Sequence, residues 1–257
     1  AAQAMLGQLP ESKPTTALER PSLPPGVDPY LLLDLAGIYE ETFQRHRQAQ
    51  LLMKARGLSD PATLRAFRMG YCTGTTLRER AGTGTGVLNE RGRDTLAGCV
   101  TVPLRDTQGR VVGFYGRRLA NANPRHRLTR GRVQGFCHPE AVRGTSSLIL
   151  VEGVLDAIAC YQAGFRHVLA LGGTALTSLH FDLIARSSVR QVWLALDDDE
   201  AGEEGSKVAV RRLVGAGLSC YRVKLDIDED PCAFFAGFGN TPEKFRELLL
   251  AAKPIGC

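Results

Sequence analysis

The chain has 257 residues, 44% of them hydrophobic and 23% charged, with a formal net charge of +5. These values are ordinary for a globular protein of one large or two small domains, and no stretch approaches the ~18 apolar residues of a membrane span. The N-terminus lacks the basic segment and apolar core of an export signal. The seven cysteines are far apart and form no Cys-x-x-Cys pair, which argues against a disulfide framework or a zinc site. We therefore expect a cytoplasmic protein with reduced thiols and no membrane partner.

The first half of the chain predicts a linker and a mixed α+β region. Residues 1–28 contain five of the thirteen prolines and are typical of a proline-rich linker or tail. Apolar residues then recur at helical spacing as far as Gly57, and Pro61 suits the first turn of a second, short helix. Two strands joined by a turn are predicted at 100–104 and 110–114. Residues 29–145 are thus predicted to form an N-terminal α+β subdomain.

The pattern changes near residue 147, where short apolar strands begin to alternate with amphipathic helices. Alternation of this kind is typical of an α/β domain whose parallel sheet is covered by helices on both faces. We assign this domain, with a C-terminal helix, to residues 146–257. Ligands of such sheets bind beyond the carboxyl ends of the strands. Those strands are predicted at 148–151, 167–171, 192–196 and 220–225.

Carboxylates follow three of these strand ends, which suggests a metal site. Taken singly they are ambiguous, because Glu152 would also favour a helix N-terminus and Asp199 would also cap one. Their joint placement at one sheet edge favours Mg²⁺ or Mn²⁺, which prefer oxygen ligands. The predicted metal ligands are Glu152, Asp156, Asp197, Asp199, Asp228 and Asp230.

Positive charge is concentrated upstream of the carboxylates. Residues 105–132 contain eight arginines and one acid, Asp106. Such a strip suits a phosphodiester backbone, although a solvated face is the commoner outcome for a charge run. The loop Gly172-Gly173-Thr174 has two interpretations: backbone N–H groups that bind a phosphate at a helix start, or a tight strand-to-helix turn.

Several segments resemble one family. Val151-Glu152-Gly153-x-x-Asp156, followed by Leu196 to Gly202, resembles the Toprim signature. Gly173-Thr174-Ala175-Leu176 is similar to a segment of bacterial DnaG-type primases. Upstream, Arg56-Gly57-Leu58 resembles the start of the primase polymerase core. Further similar segments follow in the family's order, at 67–71, 103–106, 109–112 and 114–117.

The resemblance implies an enzyme that makes short RNA primers from ribonucleoside triphosphates on a single-stranded DNA template. It implies catalytic, metal-holding roles for Glu152, Asp197 and Asp199. Arg117 and Arg125 match basic positions that hold template or nucleotide phosphates. The predicted nucleic-acid and nucleotide-binding residues are, by match or by proximity, Arg117, Arg118, Arg125, Arg127, Arg130, Gly172, Gly173 and Thr174.

Two residues depart from the family's pattern. Cys232 stands where the second Asp of an Asp-Pro-Asp segment is expected, and Asp198 replaces a usual Gly. These departures keep two alternatives open: a Toprim nuclease or topoisomerase, and a non-catalytic DNA-binding module. Since neither a zinc module nor a helicase-binding region is recognisable, we expect a fragment of a longer primase or primase-helicase that meets a replicative helicase through regions absent here.

Overall fold

The computed structural model describes residues 29–75, 87–89, 91–121, 123–129, 135–173, 175–196, 200–225 and 229–255, with only the helical main chain at 29 and 200–206. Its first half contains three helices followed by an antiparallel sheet whose strands lie in sequence order. The elements are α1 (Pro29–Arg45), α2 (Arg47–Ala55), α3 (Pro61–Ala66), β1 (Gly70–Cys72), β2 (Cys99–Arg105), β3 (Val111–Arg118) and β4 (His126–Leu128).

The long helix predicted up to Gly57 is interrupted, and the interruption has a local cause. His46 adopts an extended backbone, and its Nδ1 accepts a hydrogen bond from the Ala49 N–H at 3.2 Å, which caps α2. The Gln50 side chain donates to the carbonyl groups of Phe43 and Gln44 at the end of α1. Side-chain caps of this kind satisfy the backbone groups that a helix end leaves unpaired.

The predicted short helix is confirmed as α3. Asp60 caps it by accepting from the Thr63 N–H at 2.8 Å, and Pro61 occupies its first turn. Proline is favoured there because the first N–H groups of a helix have no intrahelical partner.

The second half is the predicted parallel α/β sheet, with one addition. Strands β5 to β8 are parallel in the order β6-β5-β7-β8, and a C-terminal strand, β9, pairs antiparallel with β8 at the edge. The sequence did not predict β9, because three residues with a central proline carry no strand period. The elements are β5 (Ser147–Val151), α4 (Val154–Gln162), β6 (Val168–Ala170), α5 (Ser178–Ala185), β7 (Gln191–Ala195), α6 (Glu200–Gly215), β8 (Ser219–Arg222), α7 (Pro231–Ala236), α8 (Pro242–Ala251) and β9 (Lys253–Ile255).

The two faces of the antiparallel sheet have different partners. One face, with Phe114, packs on α1, where the rings of Tyr39 and Phe114 meet edge to face at 5.4 Å. The other face, with Val102 and Tyr115, belongs to a hydrophobic cluster that also contains Val151 of the parallel sheet. The predicted boundary at residue 145 therefore separates two sheets that share one core.

Candidate catalytic site

Glu152 lies at the carboxyl end of β5, where the sequence places it. The pairing of Val151 with Ala195 sets Glu152 beside Leu196 at the end of β7. The carbonyl group of Glu152 accepts from the Gly172 N–H at 2.9 Å, which ties this end of β5 to the loop after β6. The predicted ligands Asp197, Asp199 and Asp228 lie outside the described residues.

Asp156 is buried and joins two helices. Its Oδ2 accepts from the Gly153 N–H at 2.9 Å, and its Oδ1 accepts from the Cys232 N–H at 3.1 Å. The carboxylate thus connects the start of α4 to the start of α7. Each carboxylate oxygen has a second lone pair, so these bonds give Asp156 a structural role without removing its capacity to bind a cation.

Asp230 and Cys232 complete a cluster around Asp156. One possible ligand atom from each of the three side chains lies within 4.8 Å of the others. Asp230 also caps α7, with its Oδ1 accepting from the Ala233 N–H at 2.6 Å. Burial, together with the charges of Asp156 and Asp230, raises the pKa of the Cys232 thiol to about 12. A protonated thiol is a poor ligand for a hard cation.

The arginine-rich sheet reaches the same region through Arg117. This side chain is 8% exposed, and its Nη1 lies 2.6 Å from His126 Nε2. The other ring nitrogen of His126 lies 2.7 Å from the Tyr115 hydroxyl. Desolvation and the charge of Arg56 lower the pKa of Arg117. Desolvation and the charges of Arg117, Arg56 and Arg125 lower the pKa of His126.

Arg56 is a component of the site that the sequence did not single out for binding. It is the C-cap residue of α2, and its carbonyl group accepts from the Cys232 thiol at 3.5 Å. Its Nε is buried and has no hydrogen-bond partner in the described part of the chain. The Arg56-Gly57-Leu58 segment was the only signal in the sequence, because α2 meets α7 only in the folded chain.

Two of the other predicted arginines, Arg118 and Arg127, make their contacts away from Arg117. Arg118 donates to the Asn123 carbonyl group at 3.4 Å, and Arg127 donates to the Thr95 carbonyl group at 2.6 Å. Arg127 pairs with Gly116, so it lies on the opposite sheet face from Arg117. Arg125 is exposed beside the site, and Arg130 lies outside the described residues.

The glycine loop is not at a helix start. Helix α5 begins at Ser178, with Thr177 as its cap. Gly172 and Gly173 both have positive φ, 73° and 158°, and the N–H of Gly172 is engaged by Glu152. The interpretation as a tight turn accounts for Gly172, and Thr174 lies outside the described residues.

Comparisons with known proteins agree on one family. A Toprim-like family profile matches residues 149–235. The DNA primase of Aquifex aeolicus is 30% identical over 244 residues, which cover 86% of this chain and 48% of that protein. A crystal structure of the zinc-binding and RNA polymerase domains of the Aquifex aeolicus primase superposes with a TM-score of 0.77 at 29% identity, covering 88% of this chain and 61% of that one.

The chain has a bacterial DnaG-type primase core. A DnaG primase catalytic domain solved with bound single-stranded DNA is also similar, with a TM-score of 0.75, 25% identity, and coverage of 88% of this chain and 79% of that one. The predicted α/β Toprim domain preceded by an α+β region is confirmed. The chain spans about half the length of the Aquifex aeolicus primase that it matches. Every helix in the described ranges is too short or too polar to cross a membrane.

Proposed function

We propose that this chain is the catalytic core of a DNA primase, which joins ribonucleoside triphosphates into short primers on single-stranded DNA. The observation that carries the proposal is the meeting of two opposite charge sets. The carboxylates of Asp156 and Asp230, at the starts of α4 and α7, lie in the same region as the guanidinium groups of Arg56 and Arg117, because these charges act together on the neighbouring Tyr115 and His126. A polymerase that handles triphosphates needs both, because acids hold cations while arginines hold phosphates.

The donor set of the parallel sheet fits a hard divalent cation. Glu152 is only half-buried at the sheet edge, and carboxylates supply the oxygen ligands that Mg²⁺ and Mn²⁺ prefer. Glu152, Asp197 and Asp199 would hold the ions, with Asp228 or Asp230 completing the set. When bound, the ions would lower the pKa of the attacking 3′-hydroxyl and neutralise charge on the leaving pyrophosphate.

The contribution of the protein is to bind and orient. Arg117 presents buried positive charge at the junction of the two sheets. The half-buried Arg56, whose Nε is buried, and the exposed Arg125 extend this charge toward solvent. Buried guanidinium groups orient polyphosphate more strongly than solvated ones, because water screens them less. Catalysis in such a site comes mainly from positioning and electrostatics.

Primer synthesis on single-stranded DNA, with labelled ribonucleotides and Mg²⁺ or Mn²⁺, tests the proposal. We expect the unaltered chain to make short RNA products and Asp197→Ala to lose them, because the substitution removes a metal-holding carboxylate. Asp34→Ala is the matched control, since Asp34 is an exposed acid on α1; it should retain synthesis. Full synthesis by Asp197→Ala would contradict the assignment.

A non-catalytic DNA-binding module has one observation in its favour, the protonated Cys232 thiol where the family has an acid. Supplying a pre-annealed RNA primer distinguishes a catalytic primase core from a non-catalytic DNA-binding module. Extension of that primer would identify a polymerase that needs help only to initiate. DNA binding without metal-dependent extension would favour the module.

A further inference from the structure

His126 is placed to orient Arg117, and the contacts fix its protonation. An arginine side chain can only donate hydrogen bonds. The Nε2 of His126, 2.6 Å from Arg117 Nη1, must therefore be the acceptor. The ring is then neutral and carries its proton on Nδ1, which donates to the Tyr115 oxygen at 2.7 Å.

Because the acceptor is a neutral imidazole and not a carboxylate, it does not neutralise the positive charge of Arg117. Elsewhere in the same arginine-rich strip, Arg105 is paired with Glu140 at 2.8 Å and Arg110 with Asp106 at 2.7 Å, so carboxylates neutralise them. No carboxylate of the described residues lies within ion-pair distance of Arg117. The imidazole fixes the guanidinium group and leaves its positive charge available to an anion.

Strand register directs this pair toward the candidate catalytic site. Arg117 and His126 are cross-strand partners, and Arg117 shares its sheet face with Tyr115, which packs in the core that joins the two sheets. The preceding pair, Gly116 with Arg127, lies on the other face. A shift of register by one residue would move Arg117 away from the junction.

We propose that His126 is a positioning residue: in its neutral Nδ1–H form, supported by Tyr115, it holds Arg117 in place to bind the polyphosphate of the incoming nucleotide. This inference rests on the proposed function and names a further residue of that site. The charged and titratable groups that influence His126 are Arg117 and Tyr115 on β3, Arg56 at the end of α2, Arg125 before β4, and Asp230 at the start of α7.

Two variants of the full chain separate positioning from packing. In His126→Gln the amide oxygen can take the place of Nε2 as acceptor, whereas His126→Leu has similar volume and no acceptor. We expect His126→Leu to raise the KM for ribonucleotides on the order of tenfold, the loss typical of one hydrogen bond to a charged group. Its kcat should change much less, and His126→Gln should restore most of the KM. Equal KM values for the unaltered chain and His126→Leu would overturn the proposal.

A spectroscopic measurement tests the protonation without requiring activity. Long-range ¹⁵N–¹H NMR of the histidine rings, with His126→Gln used for assignment, should show His126 as the neutral Nδ1–H form near pH 7. A ring protonated on Nε2, or on both nitrogens, would overturn the inference.

Measuring the binding of inorganic tripolyphosphate tests the positioning role of His126 even if no primers are made. If the unaltered chain neither makes primers nor extends a supplied one, the proposed function fails while the positioning role is still tested. Weaker tripolyphosphate binding by His126→Leu than by His126→Gln would support the role. Equal binding by the two variants would contradict it.

Discussion

His180 shows how burial acts on a titratable side chain that the fold keeps neutral. It is 5% exposed, its ring meets Phe136 edge to face at 5.1 Å, and its Nδ1 lies 2.7 Å from the Thr177 hydroxyl. Burial lowers the pKa of His180 to about 4. In the unfolded chain the pKa of a histidine is about 6.5. Between these values the unfolded chain binds more protons, so stability falls as the pH falls.

We predict an acid-sensitive contribution from His180. Lowering the pH from 7 to 4 should cost the folded state about 3 kcal/mol through this residue. His180→Gln has no such titration, so urea unfolding of both proteins across this range should show their stability difference changing with pH. Parallel curves would mean that His180 does not titrate as stated.

Some residues of the candidate site could be located from the sequence, and others could not. Glu152 was predictable because the end of a parallel strand is a recognisable position. Arg56 and His126 were not singled out, because their relation to Arg117 depends on how α2 packs and on the register of β4. Composition carries neither piece of information.

One buried carboxylate forms a hydrogen bond across the contact between α4 and α7. Asp156 binds the backbone N–H groups of Gly153 and Cys232, one from each helix start. Hydrogen bonds to a charged group are worth about 1.5–3 kcal/mol each. Losing this carboxylate leaves one buried donor, the Cys232 N–H, and one part-buried donor, the Gly153 N–H, without this acceptor.

We predict that Asp156→Ala lowers the free energy of unfolding by about 3 kcal/mol. Asp60→Ala is the comparison, since Asp60 caps α3 in the same manner from an exposed position and should cost about 1 kcal/mol. Urea unfolding measures both. Equal losses would show that burial adds nothing to the Asp156 contacts.

Element length decided which parts of the fold were predictable. Strands β5, β7 and β8 and the longer helices show their pattern in the sequence, and Asp60 and Pro61 indicated α3. Strand β6 has only three residues, but it was predicted because it lies within a longer apolar segment between two predicted helices. Strands β1, β4 and β9 have three residues each, fewer than an alternating pattern needs. The break between α1 and α2 was missed because apolar periodicity continues across it while the cap at His46 is a single residue.

The shared core makes the two sheets depend on each other for stability. Phe67, after α3, packs edge to face on Tyr161 of α4 at 5.1 Å and lies 5.5 Å from the ring of His138. The Phe67 ring is therefore a first-half side chain that contacts the second half through Tyr161. The division at residue 145, predicted from the change of pattern near residue 147, remains a prediction about chain organisation, since one hydrophobic cluster crosses it.

We predict that Phe67→Ala destabilises both halves together, by about 3–5 kcal/mol. Trp193 is the single tryptophan and lies on β7, so its fluorescence reports on the parallel sheet, while far-UV circular dichroism reports on all helices and strands. The two unfolding curves should shift together. An unchanged Trp193 transition would contradict the prediction, and Leu33→Ala, at an exposed position on α1, is the control.

Strand β9 also bears on how copies of this protein meet in a crowded solution. The outermost strand of an open sheet is a template on which another chain can add, and natural proteins blunt such strands with lysine and proline. Here that strand reads Lys253-Pro254-Ile255, and Pro254 has no N–H to offer an incoming strand. A chain without β9 would present β8 instead, four residues with no proline among them. Lys253 and Pro254 thus disfavour the addition of another strand at this edge of the sheet.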